Sequence, residues 1–200
     1  MVKEVNKRTF RIMADDSTRS VVVDYLFYRL DSSGYTWENG RQGSITPTEV
    51  QRAMRSLGDE FEERFRDRFD NMIEKLNLTE ANARSTFTEI AAETFADNVV
   101  NWGRIVALFG FAGRLAVHCH ERNLHHNMVD NIVDWVTAYV DINLKSWMDS
   151  HNRWQGFLEF HAGGAEARLN NPWPNFKTLC GYAAAGLGVL TLGAFLTQKS

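Results

Sequence analysis

The sequence is poor in the residues that mark disulfide-rich, zinc-binding and β-sheet proteins. Its 200 residues include only two cysteines and three prolines. The cysteines, Cys119 and Cys180, lie in apolar stretches without Cys-x-x-Cys spacing, which argues against a disulfide framework or a structural zinc site. The N-terminal residues lack the apolar segment of a secretory signal. Because strand signals are also weak, the sequence favours a helical protein of a reducing compartment.

The chain also lacks an excess of positive charge. Its 22 lysines and arginines are outnumbered by 25 acidic residues, which gives a formal net charge of −3. Proteins that bind nucleic acids usually concentrate a basic excess, so no nucleic-acid partner is expected. The sequence contains no Gly-rich phosphate loop, serine elbow or paired catalytic carboxylates. We therefore expect neither an enzyme nor a bound cofactor.

Histidines are the one cluster that suggests a metal. Four of the six lie close together in the sequence, namely His118, His120, His125 and His126. Their spacing matches no standard zinc signature, and Glu121 is the only evident acidic neighbour. No metal is expected, and a metal enzyme stays only a remote alternative.

What the sequence has in abundance is helical periodicity. Val22, Leu26 and Leu30 recur at four-residue steps and predict an amphipathic helix from Thr18 to Asp31. A second helix is predicted to begin near Thr48, after a polar loop over residues 38–47. Further helices are predicted over residues 85–95, 102–119, 128–148 and 154–161. The pattern therefore predicts an all-α globular bundle, in which amphipathic helices surround a central apolar hairpin formed by residues 102–119 and 128–148.

The last part of the chain is apolar on every face. Residues 179–196 contain no charged side chain and are flanked by Lys177 and Lys199. At about 1.5 Å per residue, a helix of this length just spans a hydrocarbon core. We expect a C-terminal transmembrane anchor here, with a buried core helix as the alternative. The predicted domains are an N-terminal segment (1–17), a helical domain (18–162), a linker (163–178) and the anchor (179–196).

Four stretches resemble, in order, the homology regions of the B-cell lymphoma 2 (Bcl) family of apoptosis regulators, and in particular its pro-survival members. The clearest is the tetrad Asn101 to Arg104 with the apolar helix that follows it. The fourth, third, first and second regions are similar to residues 19–37, 50–65, 95–116 and 154–160. Where relatives usually have Gly-Trp-Asp in the second region, this chain has Arg153, Trp154 and Gln155. This removes an acidic residue expected at a helix start, and we expect Asn152 to compensate.

The resemblance implies a hydrophobic groove that accepts an amphipathic helix from a partner. Arg104, one turn inside an apolar helix, would pair with an aspartate of that helix, because its forked guanidinium suits a carboxylate. The alternative is that Arg104 pairs with an internal carboxylate such as Asp24 or Asp59. For the apolar residues the alternative is an ordinary closed core. The residues implied in the groove are Phe61, Arg64, Phe65, Phe69, Met72, Ile90, Glu93, Asn101, Gly103, Arg104, Val106, Ala107 and Phe111.

The second helix also resembles the ligand motif of the family. The corresponding residues are Val50, Met54, Leu57, Gly58, Asp59 and Phe61. If this helix rotated out of the bundle, the protein could itself act as a ligand. Because the fourth region is also present, we expect the apolar residues of this motif to face inward instead.

The function that the resemblance implies is pro-survival regulation of apoptosis. Such a protein captures the death-motif helices of pro-apoptotic relatives and blocks permeabilisation of the mitochondrial outer membrane. The alternative is a pro-apoptotic pore-forming effector of the Bax-like kind. The anchor would place the protein on the cytosolic face of the mitochondrial outer membrane, with the endoplasmic reticulum as a second location and a soluble cytosolic pool in addition.

Overall fold

The computed structural model describes residues 16–42, 46–124, 127–164 and 166–167, and within these ranges all regular structure is helical. The prediction of an all-α bundle is therefore confirmed. The helices are α1 (Thr18–Ser32), a short 3₁₀ helix (Glu38–Gln42), α2 (Glu49–Lys75), α3 (Ala83–Thr94), α4 (Trp102–Glu121), α5 (Met128–Asn143), α6 (Lys145–Ser150) and α7 (Arg153–Ala162).

Polar side chains fix where the main helices begin. The Ser17 side chain accepts a hydrogen bond from the Ser20 N–H at the start of α1. At the start of α2, Thr48 and Gln51 form a reciprocal capping box. Asn101 caps α4 in the same way as Ser17 caps α1, by accepting from a backbone N–H three residues on. Each cap satisfies backbone donors that have no partner inside the helix.

Helix α4 is the centre of the bundle. Most of its residues are buried, and it packs against α1, α2, α3 and α5. Helix α7 closes one end of the bundle, where the Trp154 ring meets Phe109 of α4 edge-on at 6.3 Å. Because α4 is surrounded on so many sides, apolar residues cover most of its circumference, and polar side chains such as Arg104 and Arg114 are few.

The predicted helix over residues 128–148 is in fact two helices. The chain bends at Leu144, which ends α5 and precedes α6. Val140, Leu144 and Met148 are all buried, so the four-residue apolar spacing continues through the bend. The bend lets Trp147 meet the Trp102 ring edge-on at 4.8 Å, which packs α6 against the start of α4.

The predicted loop over residues 38–47 also contains regular structure, since residues 38–42 form the 3₁₀ helix. This turn folds over Trp37, which is buried. A Cβ atom at Gly40 would lie 2.4 Å from the Trp37 ring, so the close approach of backbone and indole depends on glycine.

Several junctions between helices are turned by residues with positive φ. Asn77, Asn98, Asn123 and Asn152 have φ between 43° and 59°. Asparagine tolerates this left-handed region better than most residues. At the start of α7, Arg153 also has a positive φ of 48°, and the Asn152 side chain makes no capping hydrogen bond. The prediction that Asn152 compensates for the missing acidic cap is therefore wrong.

The predicted anchor and most of the predicted linker lie outside the described residues. Within the part of the chain that the structure describes, no helix combines the length and the apolar character needed to cross a bilayer.

Candidate partner-helix site around Arg104

One face of α4 carries both the arginine and two of the apolar residues implied in the groove. Arg104, Ala107 and Phe111 are spaced by three and four residues, which places them on the same side of the helix. We call this side the Arg104 face. The Phe111 ring stacks with Phe69 of α2 at 6.4 Å and with Phe87 of α3 at 6.2 Å. Helices α2 and α3 therefore flank the Arg104 face.

The two flanking helices are joined mainly through α4. Both α2 and α3 pack on α4, but they do not pack extensively on each other. On this side of the bundle, α4 therefore lies between α2 and α3.

The apolar residues implied in this groove are little exposed. None has more than 9 % of its surface accessible. Phe61, for example, lies so close to α4 that a Cβ atom on Gly110 would be 2.8 Å from its ring. These side chains must become accessible before a partner helix can contact them. The set comprises Phe61, Phe65, Phe69, Met72, Ile90, Val106, Ala107 and Phe111.

The polar residues implied in the groove lie nearer the surface. Arg64 is exposed, and its guanidinium carbon is 5.9 Å from the centre of the Phe65 ring, the same distance as that of Arg68. This contact is of the cation–π type. Glu93 is half-buried near the end of α3. The outer edge of α2 thus combines cations with an aromatic ring.

The first turn of α4 is held by its own side chains. Asn101 is buried, and its side-chain oxygen accepts the Arg104 N–H at 2.9 Å. Gly103 is also buried. Asn101 therefore caps α4.

Arg104 pairs with an internal carboxylate, that of Asp97. Its guanidinium donates to both oxygens of Asp97, at 2.5 and 2.7 Å. The same Nη1 donates to the carbonyl oxygens of Thr94 and Val99, each at 3.0 Å. The hydrogen bonds from Arg104, together with one from the Val99 N–H, lower the pKa of Asp97 from 3.8 to about 2.

The alternative of an internal carboxylate partner for Arg104 is therefore what the structure shows, but the two residues named for it, Asp24 and Asp59, are wrong. Asp24 accepts two hydrogen bonds from Arg55, and Asp59 accepts one from Arg29 at 3.0 Å. Both carboxylates therefore serve the contact between α1 and α2. The signal for Asp97 was its position in a short polar turn, seven residues before Arg104, but the conformation of that turn decides whether the two can meet.

The ligand-like motif on α2 faces into the bundle. Val50, Met54, Leu57 and Phe61 are at most 1 % exposed. Gly58 lies against α1, because a Cβ atom there would be 2.5 Å from the Tyr25 side chain.

The acidic residue of the same motif is held by α1. Asp59 is exposed and accepts hydrogen bonds from the Tyr28 hydroxyl at 2.6 Å and from Arg29. One turn further along α2, Glu62 also pairs with Arg29. Desolvation by burial raises the pKa of Glu62, although the nearby Arg29 opposes that shift. The motif is therefore tied to α1 by charged groups on one side and by apolar packing on the other.

The sequence predicts no metal site at the histidine cluster. His125 and His126 lie outside the described residues. Among the residues that are described, no three His, Cys, Asp or Glu side chains are grouped so that they could hold a metal ion.

These features define a class of protein: a helical bundle whose amphipathic helices enclose an apolar central helix with an arginine in its first turn. Residues 54–154 match the family model of the apoptosis regulator proteins of the Bcl-2 family. Apoptosis regulator R1 of Xenopus laevis is 32 % identical, over 98 % of this chain and 86 % of that protein. The chain therefore belongs to the Bcl-2 family of apoptosis regulators.

Two further similarities agree with this assignment. Bcl-2-like protein 1 of Gallus gallus is 34 % identical over 78 % of this chain and 67 % of that protein. Among solved structures, the fold is similar to the crystal structure of Trichoplax adhaerens trBcl-2L2 bound to trBak BH3. That match has a TM-score of 0.61 and 30 % identity, and it covers 72 % of this chain and 95 % of the other.

Proposed function

We propose that this protein is a pro-survival regulator that binds the amphipathic death-motif helix of pro-apoptotic relatives along the Arg104 face. The observation that carries the proposal is the position of Arg104 on the same side of α4 as Ala107 and Phe111, between α2 and α3. Binding of a helix in a groove needs apolar contacts at helical spacing and a polar contact that fixes the register. The Arg104 face offers the polar contact, and it offers the apolar contacts once its buried side chains become accessible.

The Trichoplax relative supports this choice of partner. Its crystal structure is that of a complex with the BH3 segment of a Bak protein. We extend this to the present chain as a proposal: the occupant of the groove is a BH3-type helix, and its acidic residue pairs with Arg104.

The contacts between α1 and α2 favour a pro-survival role over a pore-forming one. A Bax-like effector must release its third homology region, which here lies on α2. That helix is tied to α1 by ion pairs from Arg29 to Asp59 and Glu62 and from Arg55 to Asp24. Release of α2 would also expose the apolar face that it buries in the bundle, which includes Leu57 and Phe61, and exposing buried apolar surface is costly. A protein that captures other helices needs α2 to stay packed in the bundle.

Binding of a labelled BH3 peptide tests the proposed site. We expect the protein to bind the peptide in a fluorescence-anisotropy titration and Arg104→Ala to weaken binding by about 1.5–3 kcal/mol, as for a hydrogen bond to a charged group. Arg19→Ala is the matched control, because Arg19 also pairs with a surface aspartate but lies on α1. Unchanged affinity of the Arg104 variant would remove this residue from the site.

Dye release from liposomes separates the two functions. Protein lacking residues 179–196 is incubated with dye-filled vesicles of mitochondrial lipid composition and an activating BH3 peptide. A pro-survival protein is expected to release no dye and to suppress release by an added effector. Efficient release by this chain alone would favour the Bax-like alternative.

We further propose that residues 179–196 anchor the protein in the mitochondrial outer membrane. The support is the uncharged apolar run between Lys177 and Lys199. A fluorescent protein fused before Met1 is expected to mark mitochondria, and deletion of 179–196 is expected to disperse it. A reticular pattern with the intact chain would point to the endoplasmic reticulum.

A further inference from the structure

The anion-binding position of Arg104 is already filled by the protein itself. Asp97 accepts hydrogen bonds from both terminal nitrogens of the guanidinium, in the paired geometry that a partner carboxylate would use. The Arg104 side chain is only 17 % exposed, whereas that of Asp97 is 55 % exposed. The internal pair therefore joins a sheltered cation to a carboxylate at the surface.

The other hydrogen bonds at this position hold Arg104 in place, whereas Asp97 can be replaced by another carboxylate. Arg104 also donates to the carbonyl oxygens of Thr94 and Val99, and these contacts position its guanidinium at the connection between α3 and α4. Among the described residues, the Asp97 carboxylate accepts hydrogen bonds from Arg104 and from the N–H of Val99 at 3.0 Å. A carboxylate that leaves this position enters water and stays solvated, so its release carries little desolvation cost.

We propose that Asp97 is an internal competitor for Arg104, which an acidic residue of the incoming helix must replace. This inference rests on the proposed function, and it concerns how the same site is regulated. The two terminal nitrogens of one guanidinium can form the paired contact with one carboxylate at a time. The affinity for a partner is then the difference between the new ion pair and the one that is broken. A partner helix that places no carboxylate opposite Arg104 does not displace Asp97. Arg104 then adds nothing to the affinity for that helix.

The test is the affinity of Asp97→Asn in the full chain. Asparagine keeps the side-chain oxygen that accepts from Val99 but removes the charge that competes for Arg104. The probes are a labelled BH3 peptide of the Trichoplax Bak protein and the same peptide with its motif aspartate replaced by asparagine. Asp134→Asn is the matched control, since it removes the same charge from another exposed Arg–Asp pair, that with Arg19.

We expect Asp97→Asn to bind the aspartate peptide about two- to fivefold more tightly than the unchanged protein, the size typical of an exposed ion pair. The asparagine peptide should show no gain, and Asp134→Asn should change neither affinity. Equal or weaker binding of the aspartate peptide by Asp97→Asn would overturn the inference, as would an equal gain for both peptides. Failure of every variant and of the unchanged protein to bind either peptide would instead reject the proposed function.

A second measurement does not depend on a variant that folds. In the unchanged protein the Asp97 carboxyl carbon is followed by NMR as the pH is lowered, with and without saturating aspartate peptide. The pKa of Asp97 is expected to rise from about 2 toward 3.8 in the complex, because Arg104 has left it. A pKa that stays near 2 in the complex would show that the pair is retained and would also overturn the inference.

Discussion

Arg29 of α1 and Glu62 of α2 form an ion pair in the interior of the bundle, with side chains only 10 % and 4 % exposed. Glu62 Oε1 and Arg29 Nε, both buried, have no hydrogen-bond partner among the described residues. Burial of this kind costs much of what the attraction gains, so the pair adds little net stability over apolar residues of the same size. Removing only one of the two residues is costly, because the remaining charge stays buried without its partner.

Arg29→Met is therefore expected to lower the free energy of unfolding by about 3 kcal/mol. The reason is that Glu62, already shielded from water, loses the cation nearest to it. The measurement is urea denaturation followed by circular dichroism at neutral pH.

The double variant Arg29→Met with Glu62→Met supplies the control. It removes both charges, so it is expected to recover much of the loss, whereas independent sites would add their effects. A double variant that is as unstable as the sum of the two single variants would contradict this account of the pair.

The ion pair between Asp97 and Arg104 predicts an acid transition. Since the pKa of Asp97 is lowered from 3.8 to about 2, its contribution to stability is present above pH 4 and is lost as the pH falls toward 2. Arg104→Gln is expected to return the Asp97 pKa toward 3.8 and to remove this contribution. Carboxyl carbon shifts in an NMR pH titration give the pKa directly. An unchanged Asp97 pKa in Arg104→Gln would assign the shift to the Val99 N–H instead.

Arg153→Gly is expected to stabilise the protein by about 1 kcal/mol. Arg153 has a φ of 48°, a left-handed conformation that costs an L-residue with a side chain roughly 1–2 kcal/mol and costs glycine almost nothing. The change also removes an exposed ion pair with Asp149, which contributes little. Thermal unfolding measures the result, and Arg153→Lys, which keeps the charge and the strain, is the control. Equal stability of the glycine and lysine variants would show that the backbone conformation carries no penalty.

Gly156→Ala is expected to destabilise the protein by about 3 kcal/mol, at the upper end of the cost of overpacking. A Cβ atom at this position would lie 2.0 Å from the carbonyl oxygen of His151, and backbone cannot move aside as a side chain can. Gly110→Ala is the comparison, because the nearest atom there belongs to the Phe61 ring, at 2.8 Å. Chemical denaturation of both variants should therefore show the larger loss for Gly156→Ala.

The sequence was sufficient to predict most of the helices, because amphipathic spacing and caps are local signals. Thr48 and Asn101 stand directly before α2 and α4, as their side chains suggested. The bend at Leu144 was not predictable in the same way. No proline or glycine marks it, and the apolar spacing runs through it, so it depends on the fit of α6 against the start of α4.

The candidate site was also only partly predictable from the sequence. The resemblance to the Bcl family implied Arg104, Ala107 and Phe111 in one site, and their spacing puts them on one side of a helix. The partner of Arg104 could not be read in this way, because the approach of Asp97 depends on the path of the turn between α3 and α4. A salt bridge across a turn is set by backbone conformation, and here that conformation includes a left-handed residue, Asn98.

The four asparagines with positive φ affect which substitutions this sequence can accept during evolution. Each one lies between two helices in a left-handed conformation that asparagine tolerates, so the direction of the chain at these junctions depends on the asparagine and not on the residues packed in the interior. Substitutions of similar volume inside the bundle can therefore accumulate without rerouting the polypeptide. A β-branched residue at a single corner would be resisted more strongly than many such exchanges within.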